Sequence, residues 1–114
     1  MNVIRGATSI KFNDYDSIKK SILELYNEIL NKNKIEKVYS IIATVTPDIT
    51  AFNPVTFLRK EFNLNDVAFM CVQEAMFENS PKKIIRLLIN CESETSNFIY
   101  LNEAKKLRPD LMGE

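Results

Sequence analysis

An α+β domain, a mixed β-sheet with helices on one face, is the fold class this sequence predicts. The chain has 114 residues, the length of one domain, which buries roughly two thirds of the surface its unfolded chain exposes. Its apolar residues alternate between a helical stripe and short β-branched runs. Taken in order, those segments run β-α-β-α-β-β-β, a pattern that places helices against a sheet within one domain.

Residues 3–12 are rich in β-formers and predict the first strand, with Gly6 marking a bend or a close approach. From Tyr15 to Lys32 the period changes. Ile18, Ile22, Leu25 and Ile29 make one apolar helical stripe, with Lys19, Lys20, Glu24 and Glu28 off it. Asp14 or Asp16 is the candidate N-cap. Val38–Val45 is β-branched and short, hence a buried strand, broken by Thr46-Pro47-Asp48. Asn53-Pro54 opens a second helix, Asn as cap and Pro at the first helical position, running to Glu61 or Phe62. Val67–Glu74, Lys83–Cys91 and Asn97–Leu101 predict three further strands, while Glu103–Leu107 fits neither period. The whole is expected to be a single domain over residues 1–114, with about 108–114 as a flexible tail.

Composition excludes several chemistries. Fifteen basic residues against fifteen acidic ones give zero net charge, where a nucleic-acid protein would show a basic excess. There is no histidine, which removes imidazole general bases, His-assisted nucleophiles and imidazole metal ligands. Cys71 and Cys91 lack a C-x-x-C spacing and lie in apolar runs, so they are expected to be reduced thiols, not a metal site or a disulfide framework. With no apolar leader and no long apolar run, a cytoplasmic protein without a membrane partner is expected. Two glycines in all leave no glycine-rich phosphate loop.

Several charges sit where core strands should be apolar. Arg86 interrupts Ile84-Ile85-Arg86-Leu87-Leu88-Ile89, Glu74 closes Met70-Cys71-Val72-Gln73-Glu74, and Arg5 follows Val3-Ile4. A buried ion costs several kcal/mol unless it is paired or faces a ligand. One reading is a solvated edge strand or a structural Arg86–Glu74 pair. The other is a pocket for a small polyanion, because arginines, with Arg59 and Arg108 also in the set, grip carboxylates through two hydrogen bonds each. Tyr100 and Cys71 read from pattern alone as core residues. Apolar residues on both sides of the strands favour an oligomer that covers the second sheet face.

Five motifs carry a resemblance. Arg5-Gly6-Ala7-Thr8, Thr46-Pro47-Asp48, Cys71-x-Gln73-Glu74, Lys82-Lys83-x-x-Arg86 and Leu107-Arg108-Pro109-Asp110 stand in the order and approximate spacing of the monofunctional AroH-type chorismate mutases. The chain resembles that family from Ile4 to Leu111. The resemblance implies a homotrimer built as a pseudo-α/β-barrel, with active sites at the junctions of subunits. It implies rearrangement of chorismate to prephenate, in the branch leading to phenylalanine and tyrosine, with neither cofactor nor metal. By the same resemblance Arg86 donates to the ether oxygen and reaches a carboxylate, and Glu74 accepts from the ring hydroxyl and balances the ring. Arg5 and Tyr100 hold the side-chain carboxylate, Cys71 lies beside the ring hydroxyl, and Arg59, Leu107 and Arg108 close the entrance.

The chain departs from the family pattern at the pocket wall, with Asn53 where Phe is expected, Thr56 for Lys and Met70 for Thr. Glu78-Asn79-Ser80-Pro81 also lacks the glycines expected there. Two alternatives stay open beside an enzyme of this family: a non-catalytic trimer that binds an aromatic-pathway carboxylate, and an enamine/imine deaminase on a similar trimer.

Overall fold

The computed structural model describes residues 1–107. Its elements are β1 (Asn2–Ser9), α1 (Tyr15–Lys32), β2 (Ile35–Val45), α2 (Pro54–Glu61), β3 (Ala68–Gln73), β4 (Ile84–Ser93), β5 (Ile99–Tyr100) and a 3-10 helix, Asn102–Leu107. The strands form one mixed sheet in the order β3-β2-β4-β1-β5. β4 is antiparallel to both β1 and β2, while β3 joins β2 and β5 joins β1 in parallel. The α+β order read from the sequence is the order found.

α1 starts where the Asp14 carboxylate accepts the Ser17 N–H at 2.7 Å, satisfying one of the free amides of the first turn. Its stripe of Ile18, Ile22, Leu25 and Ile29 is fully buried. These side chains share one core with Ile4, Ile41, Ala43, Ile85, Leu87 and Ile89 of the sheet and with Val55, Phe57 and Leu58 of α2. Both helices therefore cover the same sheet face.

Gly6 marks a close approach. A Cβ there would stand 2.8 Å from Ile29 Cδ1, 3.2 Å from Leu25 Cδ1 and 3.3 Å from the Ile99 carbonyl oxygen. The first two atoms can swing away, but the third is backbone of the neighbouring strand. Gly6→Ala is accordingly expected to cost about 1–3 kcal/mol, the usual effect of overpacking, measured by urea unfolding; an unchanged midpoint would mean that α1 and β5 give way freely.

The other sheet face follows from the two-residue alternation of strands. It presents Val3 and Arg5 from β1, Ile42 and Thr44 from β2, Met70 and Val72 from β3, and Arg86 and Leu88 from β4, residues that stand side by side in register. Met70 is 59% exposed, Val3 42% and Val72 40%. Among the described residues the 3-10 helix covers part of this face through Ala104, which packs with Ala7, Ile84 and Tyr100, and Phe98 covers Arg5.

Several boundaries differ from the sequence reading. The first strand ends at Ser9, since residues 11–14 bend to launch α1; Ile10 stays buried and its N–H donates to the Lys83 carbonyl at 3.0 Å. β2 begins at Ile35 because the end of β4 pairs with it there, Ile35 with Ser93 and Lys37 with Glu92, across an irregularity in register. β5 is only two residues long, and residues 102–107 settle as a 3-10 helix. The predicted tail, about 108–114, lies outside the described residues.

Candidate active site

The centre of the open face is Arg86, midway along β4 and in register with Ala7 of β1 and Thr44 of β2. Its Nε lies 2.8 Å from Glu74 Oε1. Glu74 follows β3 directly, its N–H donating to the Val45 carbonyl at 2.9 Å, and its Oε1 also accepts the Thr44 hydroxyl at 2.6 Å. Arg86 Nε is enclosed and finds no well-aligned hydrogen-bond acceptor among the described residues, so the Glu74 contact is a charge pairing rather than a linear hydrogen bond. The Arg86 side chain remains 40% exposed against 16% for Glu74. The carboxylate thus holds the root of the guanidinium while its outer part faces the open side.

Arg5 lies on the same face, and its guanidinium carbon sits 4.7 Å from the centroid of the Phe98 ring, a cation–π contact that fixes the plane of the fork. Arg5, Thr44, Arg86 and Tyr100 line one cavity of about 230 Å³ with Gly6, Ile42, Leu87 and Leu88. Two cations against one carboxylate leave this group receptive to a small carboxylic acid. Tyr100 is only 5% exposed, wedged beside Ala7, Ile84 and Ala104, with Leu107 packed against that cluster.

The other sequence-predicted residues stand elsewhere in the chain. Cys71 pairs with Ala43 and packs against the helix-covered core, and burial pushes its thiol pKa up. Its side chain faces away from Arg86. Met70 is on the open face, in register with Ile42. Asn53 caps α2, its Oδ1 accepting the Val55 N–H at 3.1 Å, and Arg59 is exposed in the last turn of that helix. Within one chain Asn53 and Arg59 are therefore across the sheet from Arg86. Arg108 lies outside the described residues.

Two contributors escaped the sequence reading. Thr44, which orients Glu74, looked like one more β-branched residue of a buried strand; its polarity amid Ile41–Val45 was the available signal. Phe98, stacked on Arg5, had no local signal at all, because the contact joins positions far apart in the chain.

The fold and this cluster define a class: an α+β subunit that offers arginines, a glutamate and a tyrosine on an open sheet face to a small carboxylate. The chain belongs to the chorismate mutase type I family, whose pattern matches residues 1–111. It is 29% identical over 114 residues to chorismate mutase AroH of Bacillus subtilis (strain 168), covering 95% of this chain and 90% of that protein. It is 30% identical over 115 residues to chorismate mutase AroH of Thermus thermophilus, covering 95% and 93%. Among solved structures, a chorismate mutase from Clostridium thermocellum superposes with a TM-score of 0.85 at 31% identity, over 93% of this chain and 99% of that one. The family resemblance carried by the five motifs is thereby borne out. No helix among the described residues is long and apolar enough to cross a membrane.

Proposed function

We propose that this chain rearranges chorismate to prephenate, in the cytoplasm and within aromatic amino-acid biosynthesis, on its open sheet face. The observation that carries the reading is the Arg86–Glu74 pair at 2.8 Å, set beside a cavity that Arg86 shares with Arg5 and Tyr100. The reaction is a unimolecular [3,3]-sigmatropic shift and needs neither nucleophile nor obligatory proton transfer. Arg5 and Tyr100 hold the enolpyruvyl carboxylate, which keeps the side chain folded over the ring and supplies an orientation term. As the C–O bond lengthens ahead of C–C bond formation, negative charge gathers on the ether oxygen and positive charge on the ring. Arg86 donates to that oxygen and to a carboxylate, while Glu74 accepts the ring hydroxyl and balances the ring. A preorganised donor at such a point is worth about 10²–10³ in rate.

The chain acts as a homotrimer in this reading, supported by the exposed Val3, Met70 and Val72 on a sheet face that the described residues cover only in part. A neighbouring copy then contributes the residues that stand away from Arg86 in a single chain: Arg59, Asn53, Met70 and the backbone around Cys71. Leu107, packed against the Tyr100 cluster, borders the site in this reading.

The test is loss of chorismate's ultraviolet absorbance with purified protein, confirmed by conversion of the product to phenylpyruvate in acid. Turnover blocked by a bicyclic transition-state mimic is the expected outcome; a folded protein without turnover would overturn the reading. In sedimentation the active species is expected at three times the 13.2 kDa chain mass, and an active monomer would remove the shared sites.

A further inference from the structure

The Thr46-Pro47-Asp48 turn takes no part in the chemistry above, yet it ties the end of β2, whose Thr44 holds Glu74, to the start of β4, which carries Arg86. Asp48 accepts the Lys83 backbone N–H on both carboxylate oxygens, at 3.1 and 3.0 Å. The Thr46 hydroxyl donates to Asp48 Oδ1 and accepts the Ile84 N–H at 3.1 Å. The Thr46 N–H donates in turn to the Ile84 carbonyl at 3.1 Å. Thr46 is buried, 1% exposed. Burial pushes the Asp48 carboxyl pKa up, but the bonds from Thr46 and the Lys83 N–H outweigh it and hold it below its ordinary value.

What this network restrains is an unfavourable backbone. Lys83 has a φ of 55°, a region costly for a residue with a side chain, which persists only when its surroundings enforce it. It is the last residue before β4, three positions ahead of Arg86. On the other strand, Thr46 follows Val45, whose carbonyl receives the Glu74 N–H at 2.9 Å, and it lies two positions after Thr44, which orients the Glu74 carboxylate. One turn therefore joins the entry of the Arg86 strand to the strand end that holds Glu74.

We propose that Asp48 and Thr46 are positioning residues: by clamping Lys83 and Ile84 they fix where β4 enters the sheet and so aim Arg86 at Glu74. The inference rests on the reading of Arg86 as the donor to the ether oxygen. Asp48→Ala is expected to lower kcat about 10- to 10²-fold, the scale of an ångström-sized misplacement, with KM moving less. In an Arg86→Lys background, where the donor is already misplaced, the same substitution is expected to cost less than about twofold, by the non-additivity of residues acting as a unit. Adding Lys83→Gly to Asp48→Ala is expected to restore part of kcat, since glycine adopts positive φ without strain. Where Asp48→Ala folds poorly, Thr46→Val removes the hydroxyl at nearly constant shape and is read the same way.

Wild-type kcat in folded Asp48→Ala and Thr46→Val proteins would overturn the proposal, and so would an undiminished cost in the Arg86→Lys background, which is what a purely structural role produces. Failure of the functional reading appears separately, as wild-type protein that does not consume chorismate. The clamp is then judged by hydrogen exchange at the amides of residues 83–86: acceleration of about 10-fold in Asp48→Ala supports it, and unchanged exchange overturns it.

Discussion

Arg86→Ala is expected to lower kcat/KM by at least about 10³-fold while leaving a folded protein. One preorganised donor is worth about 10²–10³, and Arg86 serves two acceptors in the proposed mechanism, the ether oxygen and a carboxylate. The fold is expected to survive because the Arg86 side chain is 40% exposed and Glu74 keeps its bond from the Thr44 hydroxyl. Arg86→Lys is expected to fall by about 10²-fold, since a compact ammonium cannot span both acceptors as the planar fork does. The measurements are chorismate loss for rate and circular dichroism for fold. Near-normal turnover in either variant would remove the electrostatic account.

Glu74→Ala is expected to cost about 10²-fold in kcat, for two separable reasons. It removes the carboxylate that holds Arg86 Nε at 2.8 Å, and it removes the negative charge facing the developing positive ring. Glu74→Gln divides these effects, because its carbonyl oxygen can still accept from Thr44 and contact Arg86. If the charge matters, Gln falls nearly as far as Ala in kcat with little change in KM. A Gln variant at wild-type rate would show that Glu74 only positions Arg86. The accompanying Thr44→Val change, which leaves the carboxylate charged and paired with Arg86 but without its hydroxyl donor, is expected to cost less than either.

Much of this architecture was legible because it depends on local periodicity. The α1 stripe and the Asn53-Pro54 opening of α2 involve residues within four positions of one another along the chain, and each was found where the sequence indicated, while the structure chose Asp14 over Asp16 as the cap of α1. Boundaries were less legible where distant pairing decides them. β2 starts three residues early because the end of β4 pairs with Ile35–Lys37, and the Glu36-Lys37 charges conceal that extension. Residues 102–107 show no period because their one buried anchor, Ala104, meets partners from β1, β4 and β5.

For the site, the charges themselves were the signal. An arginine inside Ile84–Ile89 and a glutamate just after β3 stand out against the cost of burying ions, and the family resemblance joined them to Arg5 and Tyr100. Spacing could not say which side of the sheet each side chain takes. Cys71 and Met70 are adjacent in sequence yet face opposite ways, since successive strand residues alternate; only the register of β3 on β2 assigns Met70 to the open face and Cys71 to the core.

By itself, then, the sequence determined the α+β class, the extent of the helices, the family and the candidate charges, because those follow from short-range pattern and from residue types that do not belong in a core. The tertiary structure alone decided which charges meet. The Arg86–Glu74 contact, the Thr44 tether, the Phe98 stack on Arg5 and the Asp48 clamp on Lys83 each join segments between twelve and more than ninety residues apart. Strand register brings such segments together, and register is set by the burial of a whole sheet face rather than by any stretch of neighbouring residues.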